Sequence, residues 1–176
     1  AEVFFDDVKV PGENLLGEEG HGWNVAMSTA GFERGLLLRS PARFMRTAQK
    51  LLDLYKANQA QADRDPSIRQ AVSEAWMGAQ AYNLASYHMV GKLNSGHKIG
   101  AEASANKIFW SELDIQIHET ALRILGARGE LMEGASPLAE PDWLEGFLFA
   151  QAGPIYAGAN EIQKNIIAER LLGMPK

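Results

Sequence analysis

Apolar residues change their period along the chain, and the change divides it into elements. From Glu2 to Val10 the chain is rich in Val and Phe and closes on Pro11-Gly12, which reads as a strand followed by a turn. A single strand makes no sheet, so this pattern expects pairing partners elsewhere. From about His21 to Ala57 the spacing becomes helical: Val25, Leu37, Phe44, Ala48, Leu51, Leu52 and Tyr55 recur three, four or seven apart. Pro41 cannot donate a backbone hydrogen bond and crowds the preceding turn. The segment is therefore one long helix bent near Gly35 or Pro41, or two helices meeting at Ser40-Pro41. The polar run Asn58 to Asp65 reads as a loop or frayed end.

Asp65 has the chemistry of an N-cap, with Pro66 at the first helical position. Ile68, Val72, Ala75, Ala79, Tyr82 and Met89 then line one face of a second long helix, which ends at Asn94-Ser95-Gly96. A third helix spans about Ile99 to Leu125, with Ile108, Phe109, Leu113, Ile117, Ala121, Leu122 and Ile124 at compatible spacing, and stops at Gly126. A long Gly- and Pro-containing connection leads to Pro141, a length more often functional than idle. A short helix follows around Asp142 to Ala150. The last runs from about Glu161 to Leu172, with Asn160 as its cap and Gln163 placed to reach back in a capping box. The expected fold is all-α, an up-and-down four-helix-type bundle preceded by one short β-strand.

Composition narrows the chemistry. The chain has 176 residues, 46% hydrophobic and 22% charged, as in a globular domain able to bury its own core. A net charge of −5 disfavours wrapping nucleic acid or coating an anionic membrane, and no apolar run is long enough to span a bilayer. The absence of cysteine removes disulfides, thiolate nucleophiles and cysteine-ligated metals, and fits a reducing cytoplasm. His21, His88, His97 and His118 lack the i, i+3 or i, i+4 pairing of a helical metal site. Ala1-Glu2-Val3 carries neither an initiator Met nor a signal segment, so the chain reads as an excised piece of a longer one.

The most informative segment is Pro154-Ile155-Tyr156-Ala157-Gly158-Ala159-Asn160-Glu161-Ile162-Gln163. Small residues before a helix start let backbone N–H groups approach an anionic ligand, although from the local pattern alone an ordinary capped helix is the favoured reading. Extended through Ala168, this segment resembles the C-terminal signature of the acyl-CoA dehydrogenase family. Val3 to Pro11 and Asn14 to Gly17 resemble the exit from that family's middle β-domain. Gly22-Trp23-Asn24-Val25-Ala26-Met27 resembles the opening of its first C-terminal helix, and Ile124-Leu125-Gly126-Ala127-Arg128-Gly129 its glycine-bearing flavin loop. On this resemblance residues 1–20 are the end of the β-domain and a linker, and 21–176 are the C-terminal helical bundle.

The resemblance implies an enzyme of lipid or fatty acid metabolism that desaturates an acyl-CoA thioester. A carboxylate removes the α-proton, and the β-hydrogen leaves as hydride to flavin N5 of FAD. The commonest position for that base is Ala157 here, and alanine takes no proton. A minority form carries a glutamate on the first helix immediately before an arginine, which points to Glu33 as the base and to Arg34 as a residue orienting the helix or the CoA end. By composition alone both would be ordinary surface charges. The family's Arg-x-x-Phe-Gly element is missing, with Ala62 to Pro66 in its place, where Arg64 reads as a solvated loop arginine. The resemblance assigns flavin contacts to Arg123, Gly126, Ala159, Asn160 and Glu161, with Arg123 toward the pyrophosphate. These departures resemble a bacterial branch acting on bulky, ring-bearing or branched acyl-CoA esters. Its expected partners are the acyl-CoA substrate, an electron-transfer flavoprotein or similar acceptor, and further subunits in a homo- or hetero-oligomeric dimer or tetramer. The alternatives are a non-catalytic partner subunit of a heteromeric enzyme and a helical oligomerisation module, and an isolated domain is expected to be inactive.

Overall fold

The computed structural model describes residues 2–28, 40–97, 100–132 and 141–175. The chain divides into two units, Ala1–Glu33 and Arg34–Lys176.

In the first unit, residues 2–10 run without regular secondary structure, in place of the expected strand. The physical reason is the one the pattern itself raises: a strand is held by a neighbour's backbone, and no strand occurs among the described residues. Phe4 and Phe5 are more than four-fifths exposed. A 3-10 turn at Gly12–Asn14 follows, and residues 22–28 are helical (α1).

The second unit is helical throughout its regular elements: α2 (Pro41–Ala57), α3 (Gln59–Ala62), α4 (Pro66–Asn94), α5 (Glu102–Leu125), α6 (Pro141–Ala150) and α7 (Asn160–Ile166). A 3-10 turn at Gly126–Glu130 follows α5, and a π-helical turn at Ile167–Leu171 extends α7. The all-α bundle is thus observed. Helix α2 starts at Pro41 with Ser40 extended before it (ψ 116°), so a helix boundary falls at Ser40-Pro41, where the ring's fixed φ suits a first turn.

Two local expectations are corrected. The Asn58–Asp65 run is not a plain loop: it contains α3, held because Ala62 is buried and the Asn58 side-chain amide donates to the Leu54 carbonyl at 2.9 Å. The second correction is at α7, whose N-cap is Ala159 without a side-chain bond, while Asn160 is its first helical residue.

Helix α5 is the axis of the unit, packing against α2, α4, α6 and α7. Its apolar positions Trp110, Leu113, Ile117, Ala121, Ile124 and Leu125 meet Phe44, Leu51 and Leu54 of α2 and Val72, Ala75, Ala79 and Tyr82 of α4 in one core. Phe44 and Tyr82 contact edge to face with centroids 5.0 Å apart. Asp65 accepts from the Ser67 backbone N–H at 2.9 Å and caps α4, while Gly126 ends α5 with φ +59°.

Candidate functional site

A second stripe runs along α5 beside the apolar one. Ser104, Lys107, Ser111, Asp114 and His118 repeat at three- and four-residue spacing, and all five are buried. Buried polar groups need partners, and this seam finds most of its partners on three different helices.

At its upper part, the Lys107 ammonium donates to Asn160 Oδ1 on α7 at 2.7 Å. Ser111 lies 3.3 Å from the same oxygen, and Asn160 Nδ2 donates to the Ser111 hydroxyl at 3.2 Å and to Glu112 Oε1 at 3.4 Å. Burial pushes the Lys107 ammonium below lysine's ordinary value, and the nearby Glu161 carboxylate pulls it the other way. Just before α7 the chain makes a tight turn in which Ala157 (φ +55°) and Gly158 (φ +87°) are both left-handed. Gln163 closes it by donating from Nε2 to the Ala157 and Gly158 carbonyls, each at 3.2 Å.

Lower down, Asp114 accepts from Arg43 of α2 at 2.8 Å, and His118 Nδ1 lies 2.8 Å from the Asp114 backbone carbonyl. The His118 ring meets Trp143 of α6 edge to face. Beside it, a groove of about 1300 Å³ opens between α2 and α6, lined by Arg46, Lys50, Asp53, Asp142, Glu145 and Phe149 among others. Its cations and carboxylates are intermixed, so its charge selects no ligand class.

The residues singled out from sequence fall in three places. Glu33 and Arg34 lie outside the described residues. Arg123 and Gly126 stand exposed at the C-terminal end of α5, where Arg123 donates to Asp65 Oδ2 at 3.0 Å and to the Ser67 hydroxyl. Ala159, Asn160 and Glu161 begin α7 beside Ser111, twelve residues earlier on α5, which is roughly 18 Å away along the helix. The structure therefore does not gather the two groups into one cluster. Arg64 is exposed, and Arg128, not singled out in sequence, bonds Asn58 Oδ1 at 2.6 Å. Sequence reasoning also missed Lys107, Ser111 and Asp114, whose signal was the polar repeat at helical spacing beneath the apolar one.

Residues 20–172 match the family model described as the acyl-CoA dehydrogenase C-terminal domain. The chain belongs to the acyl-CoA dehydrogenase family. It is 36% identical over 177 residues to acyl-CoA dehydrogenase IpdE1 of Mycobacterium tuberculosis, covering 99% of this chain and 44% of that protein. It is 26% identical over 179 residues to cyclohexane-1-carbonyl-CoA dehydrogenase of Geobacter metallireducens, covering 98% of this chain and 44% of the relative. Among solved structures, the Tcur3481-Tcur3483 steroid ACAD shares the fold with a TM-score of 0.81 at 24% identity, covering 98% of this chain and 45% of that one. The ChsE4-ChsE5 complex from Mycobacterium tuberculosis aligns with a TM-score of 0.78 at 25% identity, covering 98% and 46%. This acyl-CoA dehydrogenase domain spans less than half the length of these curated relatives.

FAD, the cofactor the family implies, can be tested against the residues present. Arg123 fits a diphosphate by its exposed guanidinium, once that group leaves Asp65, and Gly126 by its exposed backbone; the C-terminal end of α5 itself presents the negative end of the helix dipole and adds no attraction for an anion. Glu161 is also exposed on α7. The Asn160 side chain does not fit, because it is 4% exposed and engaged by Lys107 and Ser111. Its part in any flavin contact is restricted to the backbone, and its cap role is replaced by a tie to α5.

Proposed function

We propose that this chain is the C-terminal helical domain of a cytoplasmic, FAD-dependent acyl-CoA dehydrogenase that introduces an α,β double bond into a bulky, ring-bearing or branched acyl-CoA. Glu33 is the base in this reading. The observation that carries it is the turn at Ala157, which holds a methyl group where the commonest family form has its carboxylate. The proton at the α-carbon passes to the Glu33 carboxylate. Arg34 orients the CoA end, and the small Ala157 side chain leaves room for a wide acyl group. Arg123 and the Gly126 backbone hold the diphosphate, with Ala159 and Glu161 nearby. FAD, when bound, supplies the acceptor for the β-hydrogen leaving as hydride. Electrons then pass to an electron-transfer flavoprotein or similar acceptor.

The names of two similar proteins support the substrate class, one a cyclohexane-1-carbonyl-CoA dehydrogenase and one a steroid ACAD. The test uses the full-length protein, expressed with and without its genomic neighbour. A flavin band should accompany purification, and a matching acyl-CoA should bleach it. Glu33→Gln should abolish the bleaching; unchanged bleaching removes Glu33 from the mechanism.

A second reading is a partner subunit that shapes the site in a heteromeric enzyme. The similar Tcur3481-Tcur3483 steroid ACAD and the ChsE4-ChsE5 complex favour keeping it. It predicts activity only on co-expression with the neighbour, and activity insensitive to Glu33→Gln.

A further inference from the structure

We propose that Lys107 is a positioning residue, which through Asn160 locks the turn at Ala157-Gly158-Ala159 into the shape that faces the reacting carbons of the acyl group; the catalytic part of this proposal rests on the acyl-CoA dehydrogenase reading above.

The turn is intrinsically uncomfortable. Ala157 occupies left-handed backbone space at φ +55°, where a side chain costs on the order of a few kT, so neighbouring contacts must hold it. Those contacts come from both flanks. The Asn160 backbone N–H donates to the Pro154 carbonyl at 2.9 Å, closing the segment into a loop. Gln163 is 1% exposed and donates to the two carbonyls at the apex. Both residues sit on the first turn of α7, and α7 is tied to the bundle through the Asn160 side chain.

That tie has one orientation. An ammonium only donates, so Lys107 requires the carbonyl oxygen of the Asn160 amide, and the Nδ2 group is thereby turned toward Ser111 and Glu112. Lys107 is 5% exposed, and a buried ammonium is an expensive way to fill space that an aliphatic side chain would fill more cheaply. What it adds is direction: a donor at 2.7 Å that fixes the rotation and depth of α7's first residue against α5.

The test uses the full-length flavoenzyme and three variants: Lys107→Met; Asn160→Ala, which leaves Lys107 no acceptor; and Asn160→Asp made together with Glu112→Gln, which retains the acceptor and removes the carboxylate that would repel the second Asp oxygen. Amide hydrogen exchange is read at Asn160 and Gln163, with Leu113 to Ala121 as the internal control. Lys107→Met and Asn160→Ala should accelerate exchange at those amides at least tenfold and leave the control unchanged, while Asn160→Asp with Glu112→Gln stays within threefold of the parent. In steady state, kcat should fall at least tenfold in Lys107→Met and Asn160→Ala with KM for acyl-CoA within twofold, because reacting geometry is lost while CoA binding is not. Unchanged exchange in Lys107→Met overturns the lock, and accelerated exchange with unchanged kcat overturns its positioning role. Where Lys107→Met fails to fold, the two Asn160 variants decide, and equal behaviour of the two overturns the proposal. Accelerated exchange in variants of a parent that oxidises no acyl-CoA would leave the lock standing and remove the dehydrogenase reading instead.

Discussion

Arg43 on α2 reaches across the bundle to Asp114 on α5, Nη2 to Oδ2 at 2.8 Å, and the Asp114 side chain is only 3% exposed. The residues are 71 positions apart in sequence, so the pair fixes how α2 lies on α5. Arg43 also stacks near Phe44 and Phe149, and its stem therefore packs as well as pairs. Arg43→Met keeps much of that stem but leaves a buried carboxylate beside His118, which lies 3.5 Å away. The expected loss is about 2–3 kcal/mol, measured by urea unfolding, because the orphaned charge stays buried. Asp114→Asn, which removes that charge, should cost less; an equal or larger loss would show that the pair's attraction outweighs the desolvation of Asp114.

Gly146 on α6 is required by His118. A β-carbon built at Gly146 would lie 2.3 Å from both Cδ2 and Nε2 of the imidazole. The ring cannot swing aside cheaply, being held by the Asp114 carbonyl and packed on Trp143. Gly146→Ala should therefore destabilise by about 1–3 kcal/mol as an overpacked contact. His118→Ala should restore most of that loss in the double variant, whereas additive effects in the cycle would place the strain elsewhere.

The sequence made the helices legible because each long one carries an apolar face with its own start or stop chemistry: Asp65-Pro66 before α4 and Gly126 after α5 are both used as their residue types suggest. The strand at residues 2–10 was not realised, since a strand's pattern specifies a face but not the neighbour that pairs with it. Helix α5 hid its polar seam. It is buried on several sides, so Lys107, Asp114 and His118 read as ordinary helix charges until their partners on other helices are known. The same limit applies to Asn160, whose neighbours in sequence suggest a cap and whose neighbours in space make it a tether. Glu33 and Arg34 rest on resemblance alone, and their assignment stands or falls on the bleaching experiment.

Asp65 gives the fold a pH dependence with a definite sign. The Ser67 hydroxyl and backbone N–H, followed by Arg123, hold its carboxyl below the ordinary value of 3.8. A carboxyl depressed in the folded state contributes stability that is fully present above the unfolded value. That contribution fades as pH falls through 3.8 toward the lower folded value. Asp65→Asn retains a capping oxygen and loses the charge, so it should lower the melting temperature at pH 7 and converge on the parent only once the pH has fallen below the lowered folded value. A constant difference across that range would show that the cap geometry, not the charge, carries the effect.

Gly126 joins the end of α5 to the turn that carries Arg128, with φ +59° and ψ −136°. That combination lies outside the ordinary left-handed basin that alanine tolerates, while the space beside the residue is nearly open: beyond its chain neighbours, a built β-carbon meets among the described residues only the Gln61 side-chain amide, at 3.7 Å. Gly126→Ala therefore isolates backbone strain from crowding, and its expected cost is about 1–3 kcal/mol in urea unfolding. Strain relieved by moving the turn would also move Arg128 away from Asn58, where the guanidinium now donates at 2.6 Å. In the full-length protein the same shift displaces the backbone proposed to meet the diphosphate. Flavin should then dissociate more readily from Gly126→Ala than from Arg128→Met, which disturbs the Asn58 bond without straining the helix end. Equal retention in both variants would separate Gly126 from the cofactor and leave it a structural stop.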